Sequence, residues 1–499
     1  MIAMKMLRRG WMVLLLACTH WATGQGLTDV MRYSRQDPLG TARSMGMGGA
    51  MTGLGADLGA IWSNPAGLGL YRSSDIAFTL GVGAGGASTN YLGNSQVSAE
   101  PHLIVGQLGV ALTMPMAHSD WKRGTFAVGY TPLQDFHQRA VWTGESDGNS
   151  ITQQFAQQAQ GTGFDSLWYY HPFDAELAWY TYMIDTVPGA TDQYAPAYTT
   201  DQVRQELRRD RTGRMGETTI AFGTCYREQL HLGLSVGIVS AEMEQVDVYQ
   251  ETKVLGPSTL QDLTLNDRLE ISGSGGYWSF GMILQPDNSP VRIGWSYRSG
   301  TVLTVDDFYQ VDATANFSGD GGFEAASPSS YVRFKVRTPR RHQLGLSWTL
   351  GKAAVLSLDY GRSDFASAEF TSNDFQDDDV AAIQRRIDTT FRVEQLFRGG
   401  MEFRIDEDWR FRLGGGWRSA AADPLEDASG VVDGSLLENS QGALHWALGG
   451  EYRDDNWYAG ATYRHASTAD ARRLYGLGPE VATGRAGLGL LMLTIGARY

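Results

Sequence analysis

Cysteine is almost absent from this chain of 499 residues, which has only Cys18 and Cys225. Without cysteine pairs there is no disulfide framework, so packing and hydrogen bonds alone must stabilise the fold. The chain also lacks any apolar run of about 18 residues, which argues against a membrane-spanning helix. Basic residues are too few to balance the 55 acidic ones, and the formal net charge of −14 disfavours nucleic acid as a partner.

The N-terminus has the pattern of an export signal. Residues 1–24 combine a basic beginning, the short apolar run WMVLLLAC and the small residues ATG. This pattern predicts a secretory signal that is cleaved before Gln25. A second interpretation stays open, because LLAC loosely resembles a lipoprotein box and would place a lipid on Cys18.

Apolar and aromatic residues alternate with glycine and charged residues over long stretches. In DWRFRLGGGWRS (408–419), Trp409, Phe411, Leu413 and Trp417 fall on one face of a strand, and arginines and glycines fall on the other. A soluble sandwich would alternate too, but its strands usually have about five or six residues, whereas many here are far longer. We therefore predict an all-β fold, a transmembrane antiparallel β-barrel of about 14 strands.

Short and long connections alternate between the candidate strands, as expected for a barrel with tight turns at one end and loops at the other. The candidate strands are 73–86, 102–114, 123–141, 214–226, 229–252, 266–285, 290–309, 329–349, 352–370, 387–405, 408–419, 442–453, 455–466 and 486–499. We expect long loops near 87–101, 142–213, 253–265, 310–328, 371–386, 420–441 and 467–485. The final LLMLTIGARY alternates to a terminal Tyr499 and resembles the C-terminal assembly signal of bacterial outer-membrane proteins, so the barrel assembly machinery is a predicted partner.

A glycine-rich segment precedes the first strand. GTARSMGMGGAMTGLGADLGAIWSNPAGLGLYRSS (40–74) contains a run of glycines, the acidic Asp57 and the tripeptide Asn64, Pro65 and Ala66. In this position it resembles the N-terminal hatch of the FadL/OmpP1/TodX family of outer-membrane transporters, and it looks closest to members from the Bacteroidetes group.

The resemblance implies a division of the chain into a signal (1–24), a hatch in the lumen (25–72, with Asn64, Pro65 and Ala66 at its periplasmic end) and a barrel (73–499). It implies a monomer in the cell outer membrane, in contact with lipid and lipopolysaccharide. The implied function is passive uptake of hydrophobic compounds such as long-chain fatty acids or aromatic hydrocarbons, with no cofactor and no bond made or broken. The alternative is a non-transporting member that serves as a partner of a protein secretion system; a non-specific porin is disfavoured by an occluding hatch.

The connection 142–213 is unusually long and contains the aromatic segment 164–184. Its apolar side chains either pack within the loop or form a binding surface for an apolar ligand. The candidate capture residues are Phe173, Leu177, Trp179 and Tyr180. The resemblance further implies an inner pocket near the mature N-terminus, with candidate residues Leu27, Val30, Met31 and Tyr33.

Signals for catalysis and for metal binding are weak. The nine histidines are scattered without a metal-binding motif, so we predict no metal site. GLSVG (233–237) matches a hydrolase motif, but that motif requires a strand–turn–helix, and here a strand continues through it, so no catalytic residue is predicted. Inward-facing charges could line a path for anions, but we favour ion pairs across the lumen and with the hatch: Arg292, Arg298, Asp359, Glu402, Arg404, Arg410, Arg412, Arg418, Glu451, Arg464 and Arg498.

Overall fold

Alternating side chains shape nearly the whole chain into strands. The computed structural model describes residues 19–116, 119–319, 321–425, 436 and 438–499. The predicted signal therefore lies largely outside the described residues, and it stays a prediction. The strands are β1 (Asp75–Tyr91), β2 (Asn94–Pro115), β3 (Trp121–Asp135), β4 (Gln138–Asp147), β5 (Ile184–Thr186), β6 (Tyr194–Pro196), β7 (Gln202–Tyr226), β8 (Leu230–Leu255), β9 (Leu260–Leu284), β10 (Val291–Arg298), β11 (Val302–Phe317), β12 (Gly321–Ala326), β13 (Ser330–Arg337), β14 (Arg341–Leu350), β15 (Ala354–Asp364), β16 (Glu369–Ser372), β17 (Val393–Arg404), β18 (Trp409–Arg418), β19 (Ala443–Arg453), β20 (Trp457–Arg472) and β21 (Ala482–Arg498).

Helices occur in the N-terminal segment and in the connections. They are α1 (Thr19–Ser34), α2 (Ala42–Gly46), α3 (Ala60–Ser63), α4 (Ile151–Ala159), α5 (Leu167–Tyr170), α6 (Ala175–Tyr180) and α7 (Asp377–Thr390), with 3-10 helices at Pro65–Leu70 and Phe365–Ser367. Within the described residues, no helix is both long and apolar enough to cross a membrane.

The main sheet closes on itself. β1 pairs antiparallel with β21 from Asp75↔Arg498 to Asn90↔Thr483, and with β2 on its other side. Several wall strands are built from two consecutive segments: β3 and β4 both pair with β7, and β10 and β11 both pair with β9. In the same way, β12, β13 and β14 form one wall strand and β15 and β16 form another, whereas β5 and β6 form a separate two-stranded sheet. Counted this way, the described residues form a closed antiparallel barrel of 14 strands, which confirms the predicted fold class.

The outer face of the barrel is apolar. On β8, Leu234, Val236 and Ile238 are 52–69% exposed, whereas His231 and Ser235, on the opposite face of the strand, point inward and are buried. A water-soluble sheet would bury these aliphatic side chains. Exposed aliphatic residues along whole strands instead match the lipid-facing side of a transmembrane barrel.

Aromatic side chains form a belt at each edge of this apolar face. At the end with short turns, the ring of Tyr452 contacts those of Trp409 and Trp457, with centroids 5.4 and 5.3 Å apart. Phe397 and Trp417 stack at the opposite edge. Trp409 and Trp417 are separated by about eight residues of β18, roughly 26 Å along the strand and about 20 Å along the normal at the usual tilt. This distance fits an apolar band of about 25 Å.

Several strands continue beyond the belts, which corrects four of the predicted loops. Residues 87–101 belong to β1 and β2, which are joined by a turn with positive φ at Leu92 and Gly93. The regions 253–265, 310–328 and 467–485 are likewise mostly strand. The predicted strand 387–405 begins later, at Val393, because α7 occupies its first residues.

The wall is interrupted between β2 and β3. β2 pairs with β1 along its length, but it pairs with β3 only from Leu108↔Tyr130 to Pro115↔Arg123. Beyond that point, the register of β3 against β7, on its other side, shifts between Pro132 and Gln134. The carbonyl of Leu133 there accepts a hydrogen bond from the N-terminal segment instead of from β2.

Candidate functional site

The N-terminal segment runs through the barrel from one end to the other. α1 packs against α7, in the long connection that precedes β17, and the 3-10 helix Pro65–Leu70 lies against β7, β8 and β9 near their short turns. Inward-facing hydroxyl groups bind its backbone on the way: Ser347 donates to the carbonyl of Gly53 at 2.9 Å, and Ser296 donates to that of Ser63 at 2.7 Å. Residues 26–71 are therefore mostly buried by the wall.

Glycines in the wall allow the segment to approach closely. A Cβ atom on Gly233 of β8 would lie 2.2 Å from the carbonyl carbon of Pro65. A Cβ on Gly414 of β18 would lie 2.2 Å from the backbone nitrogen of Gly48. Both distances are shorter than any tolerated contact, so a larger residue at either position must displace the backbone of the segment.

The Asn64–Pro65–Ala66 tripeptide fixes the final turn of the segment. Asn64 is fully buried and caps the 3-10 helix by accepting a hydrogen bond from the backbone of Ala66. Its side-chain nitrogen donates to the carbonyls of Thr52, at 2.8 Å, and of Met282 in β9, at 3.3 Å. One amide side chain thus joins two parts of the segment to the wall, while Pro65 supplies a favourable first residue for the helix.

Ion pairs fix the middle of the segment to the wall strands β17, β18 and β20. Asp37 lies between Arg418 of β18, at 2.9 Å, and Arg464 of β20, at 2.7 Å. Burial raises the pKa of the Asp37 carboxyl, but the charges of Arg464 and Arg418 outweigh this effect and hold it well below its usual range. Arg43 donates to Glu402 of β17 at 3.1 Å. Arg418, Glu402 and Arg464 are among the charges that the sequence analysis assigned to lumenal ion pairs.

α1 has two different faces. Its buried face carries the four predicted inner-pocket residues, which the structure brings together in one apolar cluster with Ile383 and Ile387 of α7. These four, Leu27, Val30, Met31 and Tyr33, are each at most 1% exposed, and they hold α1 in place instead of lining the cavity described next. The other face presents Thr28 and Arg32 to that cavity, and Arg35, directly after the helix, lines it as well.

A cavity of about 190 Å³ lies in the lumen between α1 and the upper parts of β1 and β19–β21. Its lining mixes backbone and small apolar residues with charged side chains, among them Arg32, Arg35, Asp37, Asp135, Arg211, Arg418, Glu438 and Asp470. Burial lowers the pKa of Arg35 to about 10, so this guanidinium stays charged at neutral pH. The cavity is therefore suited to a small ligand that carries a polar group.

The loop 142–213 shares one apolar core with the neighbouring ends of the wall strands and leaves aromatic side chains outside it. Leu177 is buried, Phe173 is half-buried against Tyr309, and Trp179 stacks on Phe164 with ring centroids 5.6 Å apart. Of the four predicted capture residues, only Tyr180 is strongly exposed, at 57%.

The most exposed aromatic residues of the loop were not among the predicted candidates. Trp168 is 62% exposed and Tyr169 is 68% exposed, and their rings contact each other edge to face. We call Trp168, Tyr169, Tyr170, Tyr180 and Tyr182 the loop aromatic surface. The composition of the segment signalled such a surface, but which rings face outward depends on how α5 and α6 pack.

The hydrolase motif is not assembled into a catalytic arrangement. The hydroxyl group of Ser235 is hydrogen-bonded to that of Ser279 in β9. His231 lies four residues earlier on the same strand, against Gly69 of the N-terminal segment. The strand continues straight through the motif, as predicted from its alternating residues. Asp377–Asp379, in the acidic stretch of the connection before β17, form the first turn of α7, where acidic side chains favour helix formation.

The fold and the lumenal segment together define a class, that of barrels with a lipid-facing outside and a lumen occupied by their own N-terminus. Solved structures match the fold of the chain over most of its length. A Pseudomonas aeruginosa FadL homologue has 11% identity and a TM-score of 0.52, with 93% of this chain and 99% of that one covered. The deltaS2S3 mutant of the monoaromatic hydrocarbon channel TodX has 14% identity and a TM-score of 0.51, with the same coverage.

The comparison confirms the resemblance to FadL and TodX at the level of the fold. No protein-family model matches the chain, and no curated protein matches it by sequence. The Bacteroidetes assignment, the division of the chain and the roles of the site residues stay predictions.

Proposed function

We propose that this protein resides in the outer membrane and mediates the passive uptake of hydrophobic compounds. The observation that carries the proposal is the fold, shared over 93% of the chain with a FadL homologue and with a monoaromatic hydrocarbon channel. The apolar outer face and the two aromatic belts support a location in a lipid bilayer. The N-terminal segment acts as a hatch that occludes the lumen and gates release.

The loop aromatic surface is the proposed capture site. Apolar molecules that reach the cell surface gain about 25 cal/mol for each Å² of apolar area that they bury. Trp168 and Tyr169 supply two adjoining, largely exposed rings for such contact. Leu177 and Phe173 lie beneath the surface and hold the short helices that present it.

The size of the lumen cavity favours a small ligand. A cavity of roughly 150 Å³ holds one benzene molecule, and the cavity beside α1 measures about 190 Å³. Pockets for drug-sized ligands are larger, about 300–1,000 Å³. We therefore favour single-ring compounds over long-chain fatty acids. We further favour a ring with a polar substituent, because a plain hydrocarbon would offer no polar partner to Arg35 and the charged side chains around it.

A binding series on the purified protein tests this function. Displacement of a fluorescent apolar probe should be stronger with a cresol than with toluene, and stronger with toluene than with a sixteen-carbon fatty acid. The double variant Trp168→Ser/Tyr169→Ser should weaken capture several-fold. The control Tyr331→Ser removes a ring that is 75% exposed elsewhere and should change nothing. Absence of binding by every compound, together with retention of secreted proteins in the periplasm of a deletion strain, would favour the secretion-partner alternative.

A further inference from the structure

The interruption of the wall between β2 and β3 brings together three side chains that are distant in sequence. His102 lies on the part of β2 that β3 does not pair with. Asp135 is the last residue of β3, and His137 lies in the kink that precedes β4. Among the described residues, they are the one group of three or more His, Cys, Asp or Glu side chains whose ligand atoms all lie within 4.8 Å of one another.

Both imidazoles face the same carboxylate. Nε2 of His102 is 2.6 Å from one oxygen of Asp135, and Nδ1 of His137 is 2.7 Å from the other. The two rings lie almost parallel, with centroids 4.0 Å apart. The three side chains are only 7–29% exposed, so two nitrogens and a carboxylate converge at a site that is mostly shielded from water.

The surroundings orient these atoms in the way that metal sites usually require. Nδ1 of His102 lies 3.3 Å from the carbonyl oxygen of Glu100, and a proton there leaves the lone pair of Nε2 directed at the group. The backbone N–H of His137 donates to Asp135 at 3.2 Å and fixes the carboxylate. Metal-binding histidines typically donate their second N–H to a carbonyl or carboxylate, and metal-binding carboxylates accept further hydrogen bonds.

We propose that His102, Asp135 and His137 form a binding site for a divalent transition-metal ion of the class that prefers imidazole ligands, with Zn²⁺ as the representative. Two imidazoles and one carboxylate form a common donor set for such an ion and leave a fourth position to water. Asp135 and His137 also line the lumen cavity, which gives the ion a way in.

The ion would join β2 to the kink at the level where no backbone ladder connects them. Two strands joined through three coordinate bonds separate less readily than two strands joined only through the carboxylate of Asp135. The inferred role is therefore a clamp that holds the kink against β2 across the interruption of the wall, beside the cavity. This inference goes beyond the proposed uptake function and does not depend on it.

Metal titration of the full chain in detergent tests the proposal. After treatment with a chelator, Zn²⁺ is titrated in competition with a chromophoric chelator, and we expect one equivalent to bind. His102→Gln, His137→Gln and Asp135→Asn should each weaken binding at least tenfold. The control His465→Gln removes a half-buried histidine of β20 and should leave affinity unchanged.

Two further measurements make the result decisive. Heat-dependent gel mobility verifies that each variant is a folded barrel, so a loss of binding cannot be attributed to misfolding. Co²⁺ in place of Zn²⁺ should give a visible spectrum of a site with nitrogen and oxygen ligands, and His137→Gln should abolish it. Substoichiometric binding, or equal affinity in the wild type and in folded His102→Gln and His137→Gln, would overturn the proposal and leave a hydrogen-bonded His–Asp–His bridge. No transported compound is present, so neither outcome bears on uptake.

Discussion

Replacing Asp37 by Asn should release the N-terminal segment from the wall without unfolding the barrel. The side chain of Arg464 is 4% exposed and that of Arg418 is 10% exposed, so both guanidinium groups would lose their shared carboxylate in a poorly hydrated place. Breaking a fully buried pair costs about 3–5 kcal/mol. Because Asp37 itself is 27% exposed to the cavity, we expect a smaller cost of about 2–3 kcal/mol.

This free energy corresponds to an increase of about 30- to 150-fold in the population of the displaced segment. Single-channel recordings in planar bilayers should show that Asp37→Asn opens about 30 to 150 times as often as the wild type. Its heat-dependent gel mobility should be unchanged. Asp287→Asn, at an exposed short turn, is the matched control and should behave like the wild type. Adding Arg464→Gln to Asp37→Asn should partly restore closure, because one of the uncompensated charges is removed.

The same pairs predict how closure depends on pH. A carboxyl whose pKa is depressed in the folded state contributes its full stabilisation above its ordinary pKa and loses it only as the pH falls through the depressed value. The pKa of Asp37 is held well below its usual range. The contribution of the Asp37 ion pairs to closure should therefore stay constant from pH 8 to about pH 4, where an ordinary aspartate is already half protonated. Unchanged conductance of a folded Asp37→Asn variant, or a difference from the wild type that disappears near pH 4, would refute this reasoning.

Three other changes test the contacts of the segment. Gly414→Ala places a Cβ against the backbone of Gly48 and should cost about 1–3 kcal/mol of segment docking, whereas Gly450→Ala, with no atom closer than 3.6 Å, should cost nothing; both are measured as opening frequency. Asn64→Ala leaves the buried carbonyl of Thr52 without its donor and should loosen the segment, so antibiotic sensitivity should rise. Asn94→Ala, at an exposed turn, should have no effect. Ile383→Ala should loosen α1 by about 2–4 kcal/mol and make it susceptible to limited proteolysis.

The strands inside the membrane were predictable because lipid outside and a packed lumen inside impose a strict alternation. The predicted strand 408–419 and β18 (Trp409–Arg418) agree almost residue for residue. Above the belts both faces of a strand can be polar, so the alternation disappears. NSQVSAEPH in β2 therefore has the composition of a loop, although it pairs with β1 throughout.

The site was predictable only in part, since its geometry depends on contacts between distant residues. The importance of Asn64 followed from its motif and its position, but its bond to Met282 did not. The four apolar residues of α1 were recognised as a set, although the structure uses them for packing against α7. His102 and His137 come together only through the kink after β3, and no spacing along the sequence predicts such a pair.

Uptake by reconstituted vesicles tests the central claim most directly. Proteoliposomes that contain the wild-type protein are compared with liposomes without protein, and the outer leaflet of both carries lipopolysaccharide. The entry of a radiolabelled single-ring compound is followed over time. The account predicts faster, saturable entry with the protein present, and slower entry with the folded Trp168→Ser/Tyr169→Ser variant than with Tyr331→Ser. Equal rates with and without the folded protein, for single-ring compounds and for fatty acids alike, would contradict it.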